Sequence, residues 1–156
     1  MKLGTFNRWL YRGKRPNRLA KLLNDIYATV GAWGIFPNYL ERLEVIGRKS
    51  GKVISLPVVI AIVDGERYLV SMLGDNVQWV QNVRANGGRA VLQGRLREEI
   101  RLEEVAVEKR APIIKAYVKR APGGRPHIPV SQDAPVTEFE KIADNYPVFR
   151  ITSATD

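Results

Sequence analysis

The chain has 156 residues, 25 lysines and arginines against 16 acids, a formal net charge of +9 and 45% hydrophobic residues. That is the length of about one domain, able to bury a core without covalent or metal staples. It contains no cysteine and one histidine, His127, so thiolate catalysis and Cys-based metal sites are excluded and any Ser-His-Asp arrangement must use that imidazole.

The first 18 residues predict a basic amphipathic segment, distinct from a globular unit over residues 19–156. Residues 3–11 have the apolar spacing of a short helix, stopped by Gly13 and Pro16. Lys2, Arg8, Arg12, Lys14, Arg15, Arg18 and Lys21 all precede the first acid, Asp25, and are interleaved with Phe6, Trp9 and Tyr11. Such a pattern suits peripheral contact with an anionic membrane through residues 1–21. It equally suits a helix that packs its aromatic face on its own domain, and nucleic acid is the less favoured anionic partner. Residues 1–52 hold 11 lysines and arginines against 3 acids, whereas the remainder holds 14 against 13. The basicity belongs to the front third. No stretch reaches the ~20 apolar residues of a membrane span, and the polar, basic start lacks the apolar centre of a secretory signal. With the lack of cysteine, this predicts a cytoplasmic protein, with room for peripheral contact at the inner face of a membrane.

Leu19, Leu22, Leu23, Ile26 and Val30 predict a second helix, followed by a loop at "GAWGIFPN". From Leu43 the period changes to two. Strands are expected over 43–46, 53–63 and 67–72, the last two joined by Asp64-Gly65, a strong hairpin signal. Asn76 is placed to cap a helix over 77–85 that Gly87 and Gly88 end. Strands over 89–93 and 97–105 turn near Gly94; 111–120 and 136–145 read as helices, and 148–152 as a final strand. Hairpin connections make most neighbours antiparallel, and crossover helices are too few for a doubly wound parallel sheet. The fold class is therefore α+β, a small, mostly antiparallel split β-barrel with peripheral helices.

"IGRKSGK", residues 46–52, gathers Arg48, Lys49 and Lys52 among Gly47, Ser50 and Gly51. Alone it is either a solvated turn entering a strand or an anion site made of backbone N–H groups and cations. It precedes a strand instead of bridging strand to helix, so it is neither a Walker loop nor a dinucleotide fingerprint.

Three stretches, "VIGRKSGKVISLPVVIAIVDGERYLV", "NVQWVQNVRANGGRAVL" and "IADNYPVFRI", together resemble the deazaflavin-dependent nitroreductase and quinone reductase family over approximately residues 19–152. The ordered basic turn, X-Pro strand, Trp-x-x-Asn helix and Pro-Val-Phe ending are more specific together than any one piece. The resemblance implies a split barrel of the FMN-binding type, coenzyme F420 as cofactor, and hydride transfer to an electron-poor small molecule such as a quinone, a conjugated carbonyl or a nitro compound.

It also implies that Arg48, Lys49, Ser50 and Gly51 grip the phosphate joining the deazaflavin's ribityl chain to its lactyl-glutamate tail. The residue types agree: glycines admit close backbone approach, arginine offers a fork, lysine a mobile charge and serine a hydroxyl. By the same resemblance Pro57 and Val58 lie on the strand beside the deazaflavin ring. Ser71, Met72, Leu73 and Gly74 form a loop closing on phosphate and ring, and Trp79 and Asn82 share the helix face bordering the cofactor. Pro57 also fits a plain edge strand, and Met72, Leu73 and Trp79 fit a core. Tyr117, His127, Tyr146 and water are candidate proton sources. Relatives often carry arginine just before the strand proline where this chain has Ile54, and "APVTEFEKIADNY" offers Phe139 and Tyr146 but not the tyrosine cluster of nitroimidazole-reducing relatives. Nitro-drug reduction is therefore not carried over. Two other readings stand beside this one: FMN in the same turn, needing fewer cations because it lacks the tail, and a non-catalytic cofactor- or membrane-binding module. Split barrels of this type often pair, so a homodimer is expected.

Overall fold

A computed structural model describes residues 40–154, and the expectations for the basic segment, the second helix and the loop after it lie outside the described residues. In chain order the elements are β1 (Leu40–Ile46), β2 (Val53–Val59), β3 (Ala61–Val63), β4 (Glu66–Val70), α1 (Gln78–Ala85), β5 (Arg89–Gln93), β6 (Arg97–Glu104), α2 (Ala111–Arg120), α3 (Val136–Glu140) and β7 (Val148–Ser153).

The strands form one seven-stranded sheet in the order β2-β1-β5-β6-β7-β4-β3. Every pair in it is antiparallel. Its two end strands, β2 and β3, are separated in the chain by a single residue, Ile60. One bent run therefore serves both edges and curls the sheet into the expected split barrel, which leaves fewer open edges than a flat sheet would. The single strand expected over 53–63 is corrected to two, because the chain changes partner at Ile60, from β1 to β4. The Ile60 carbonyl, released from the ladder, accepts a hydrogen bond from Arg120 Nη1 at 2.9 Å.

Period-two alternation divides the apolar residues between two cores. Ile54, Leu56, Val58 and Ile60 join Leu43, Leu69, Leu92 and Phe149 inside the barrel. Val59, Ala61, Val70 and Val148 belong instead to a second core with Ile113, Ile114, Tyr117 and Phe139, so α2 and α3 cover the barrel's outer face. The Asp64-Gly65 hairpin has φ of 52° and 78°, the left-handed pair that a tight primed turn requires.

Two helix expectations are corrected. Asn76 does not cap α1: the last extended residue is Val77, and no side chain caps the helix. The helix expected over 136–145 ends at Glu140 and resumes only as a short 3₁₀ turn over Ala143–Asn145. Arg110 Nη1 donates to the carbonyls of Ala143 and Tyr146, at 3.2 and 3.4 Å, at the end of this segment.

Between α1 and β5 the chain reverses through Gly87 and Gly88, both at positive φ. A Cβ on Gly88 would collide with the Leu102 carbonyl of β6, a strand the Gly88 carbonyl also binds through Leu102 N at 2.7 Å. Gly88→Ala should therefore cost about 1–3 kcal/mol from strain and collision, read as a lower urea midpoint with an unchanged slope.

Candidate functional site

Helix α1 presents three faces with different work. Trp79, Val80 and Val83 plug the barrel, with Trp79 tilted against Phe149 at a ring-centroid distance of 5.6 Å. A second face carries Gln78, Asn82 and Asn86 at four-residue spacing, the repeat that stacks side chains along a helix. This stripe holds the basic turn between β1 and β2. Arg48 donates from its main-chain N–H and from Nη1 to Asn82 Oδ1 at 3.0 and 2.8 Å, and from Nη1 to Gln78 Oε1 at 3.0 Å. Asn86 Nδ2 donates to the Ile46 carbonyl at 2.9 Å.

Internal bonds complete the turn. Gly47 N–H donates to the Lys52 carbonyl and Gly51 N–H to the Gly47 carbonyl, at 2.8 and 2.9 Å. Ser50 Oγ accepts from Lys52 N–H at 3.2 Å. Gly51 sits at φ 70°, a left-handed position suited to glycine. The main-chain N–H groups of Lys49 and Ser50 have no acceptor among the described residues. Neither Lys49 nor Lys52 has an acidic partner among them. Two amides and two ammonium groups without a partner among the described residues, on an exposed turn, are the donor types that an anion can engage.

The third face of α1, Gln81 and Arg84, meets the loop after β4. Gln81 Nε2 donates to the Asp75 carbonyl at 3.3 Å. Arg84 bridges Asp75 Oδ1 at 2.8 Å and Glu104 through two bonds at 3.0 and 2.7 Å. Glu104 also pairs with buried Arg110 at 3.3 Å. The Arg84 guanidinium holds the Asp75 carboxyl below the usual carboxylate range. That contribution to stability is present above the ordinary Asp value of about 4 and is lost as pH falls through the lower folded value. Within the loop, Ser71 Oγ donates to the Gly74 carbonyl at 2.6 Å and Ser71 N–H to the Pro147 carbonyl at 2.9 Å. The loop thus spans from α1 to the segment before β7.

The sequence candidates separate once placed. Arg48, Lys49, Ser50, Gly51 and Asn82 form one unit, and the Ser71–Gly74 loop reaches the same helix from its other side. Pro57 lies on end strand β2 opposite Arg42, as a residue without an N–H must. Val58, Met72 and Trp79 are core residues. The Val58 side chain faces the barrel interior, so only its backbone can border a ligand, and Met72 packs in the outer core with Tyr117. Tyr117 is 3% exposed, and burial pushes its hydroxyl well above the ordinary tyrosine range. Tyr146 donates to the His127 carbonyl at 2.9 Å, while His127 Nε2 is buried without a partner among the described residues. These three sit around α2 and the segment before β7, away from the turn's own contacts. Sequence reasoning missed Gln78, Asn86 and the Asp75-Arg84-Glu104-Arg110 chain; the Gln-Asn-Asn repeat of α1 was the available signal.

The model of the F420H2-dependent quinone reductase family matches residues 24–137, and the chain belongs to that family, which makes it an F420H2-dependent oxidoreductase. No curated protein matches it. Among solved structures, an F420-H2-dependent reductase is similar at 23% identity, over 73% of this chain and 94% of that one, with a TM-score of 0.50. A structure described as a domain-swapped dimer is similar at 20% identity, over 85% and 98%, with a TM-score of 0.52. A conserved hypothetical protein from Mycobacterium tuberculosis is similar at 18%, over 74% and 72%, with a TM-score of 0.51. At these identities the likeness shows the fold. Among the described residues no helix is long and apolar enough to cross a membrane.

Glu104 neutralises a buried arginine while tying α1 to β6. Glu104→Gln should destabilise the protein by about 1–2 kcal/mol, since the Arg110 charge stays buried with a weaker partner, measured by urea unfolding at neutral pH.

Proposed function

We propose that the Arg48–Gly51 turn receives the phosphate of F420 and that the protein reduces an electron-poor small molecule, most plainly a quinone or a conjugated carbonyl compound. The observation that carries this reading is the pair of amides at Lys49 and Ser50, and the ammonium groups of Lys49 and Lys52, all without partners among the described residues, on a turn already folded by its contacts with α1. The donor set fits a phosphate with an anionic tail. The reduced coenzyme, when bound, supplies the hydride chemistry. The chain's part is to bind and orient. Pro57 lies about 13 Å beyond the start of β2 at ~3.3 Å per residue, so phosphate and ring sites share one strand. Pro57 itself is buried on that strand, so the approach to it is by way of the strand edge.

The protein's own proton inventory is narrow. Tyr117 keeps its proton because burial disfavours the phenolate, and Tyr146 directs its proton to the His127 carbonyl. We therefore assign protonation of the reduced substrate to water at the ring site, with Tyr146, once its bond to the His127 carbonyl opens, and His127 as the protein alternatives. FMN, which also carries a phosphate, is the alternative cofactor for the same turn. The similar structure described as a domain-swapped dimer supports a homodimer as the working assembly. The surplus of cations before Asp25 supports residues 1–18 as a separate basic segment, with residues 1–21 contacting an anionic membrane in which quinones dissolve.

Replacing Arg48 and Lys49 together by alanine should weaken F420 binding by about 2–4 kcal/mol while the protein stays folded, followed by coenzyme fluorescence. Unchanged binding in the folded double variant removes the turn from the site, and tighter binding of FMN than of F420 by the wild type moves the protein to flavin chemistry.

A further inference from the structure

The shape of the basic turn is set by a side chain remote in sequence. Arg48 N–H and Arg48 Nη1 converge on one atom of Asn82, at 3.0 and 2.8 Å. Two donors meeting at one atom require an oxygen, so the orientation of the Asn82 amide follows from chemistry. Asn82 is 2% exposed and stands on a helix whose neighbouring residues fill the barrel, so it cannot follow a moving turn. Arg48 is thereby folded back onto α1, with Gln78 as its second acceptor. The groups left facing a ligand come after it in the chain: the amides of Lys49 and Ser50, and the ammonium groups of Lys49 and Lys52.

We infer that Asn82 is a positioning residue for cofactor binding, acting through Arg48, which serves as the turn's clamp and not as its principal anion ligand. The inference rests on the reading of the turn as the phosphate site. A glycine- and lysine-rich turn ordered only on binding would lose backbone and side-chain entropy at that moment. Asn82 removes part of that cost beforehand, so its effect falls on the phosphate-bearing part of the ligand and not on the ring.

The test is a fluorescence titration of the full chain with oxidised F420 and, separately, with the same deazaflavin lacking phosphate and tail, for wild type, Asn82→Ala and Arg48→Lys. Wild type should prefer F420; no preference would remove the turn as phosphate site, a failure of the underlying reading and visible as such without any variant. Given that preference, Asn82→Ala should reduce it about tenfold, the scale of one lost charge-assisted hydrogen bond, with affinity for the phosphate-free compound unchanged. Arg48→Lys keeps the charge, an exposed position and the main-chain bond to Asn82 but loses the Nη1 bonds, and it should lose part of the same preference. Retention of the full preference in Arg48→Lys overturns the inference, because charge alone would then suffice. Equal weakening of both ligands by Asn82→Ala also overturns it, since Asn82 would then support only the fold. Should Asn82→Ala not fold, Arg48→Lys decides the matter.

Discussion

Burial of one face of α1 in the barrel is the constraint on which the site depends. Trp79, Val80 and Val83 are committed to the inner core, and a short helix fixed along one face has no freedom in where its other faces point. One of those faces carries the acceptors that fold the basic turn, and the other carries the groups that hold the loop after β4. Packing energy, which is non-directional, is converted by the helix into the placement of polar groups, which is directional.

Barrel closure supplies the second half of the arrangement. Because β2 and β3 are one bent run, the strand that starts at the basic turn passes Pro57 on an outer edge and then crosses to the far side of the sheet at Ile60. The turn and the strand proline are therefore held on the same element, and α1 is held against the turn by the core beneath it. The Asp75-Arg84-Glu104-Arg110 chain ties this assembly to α2 and to the segment before β7. Surface ion pairs alone contribute little, but here a buried guanidinium stands at one end, and Glu104 is shared between two arginines.

Much of this was legible in the residues. Period-two alternation gave the strands within a few residues, Asp64-Gly65 gave its hairpin, and the paired glycines after α1 gave the return to β5. The basic turn, Pro57 and the Trp-x-x-Asn helix were recognisable as candidates. What escaped was tertiary. Alternation runs unbroken through Ile60, so nothing local reveals the change of partner there. The same alternation, followed more strictly, would have turned the Val58 side chain into the core. Arg48 and Asn82 are 34 residues apart, and their contact exists only once the barrel closes. Arg110 looks like any surface arginine until its carbonyl partners are brought to it.

The claim at the centre of the account is that the amides of Lys49 and Ser50 are answered by the phosphate of F420. The most direct measurement is amide hydrogen exchange at these two positions, with and without oxidised F420. The account predicts fast exchange in the free protein and protection at both amides on binding, with smaller changes on the buried face of α1. Binding of F420 that leaves both amides exchanging as before would contradict it.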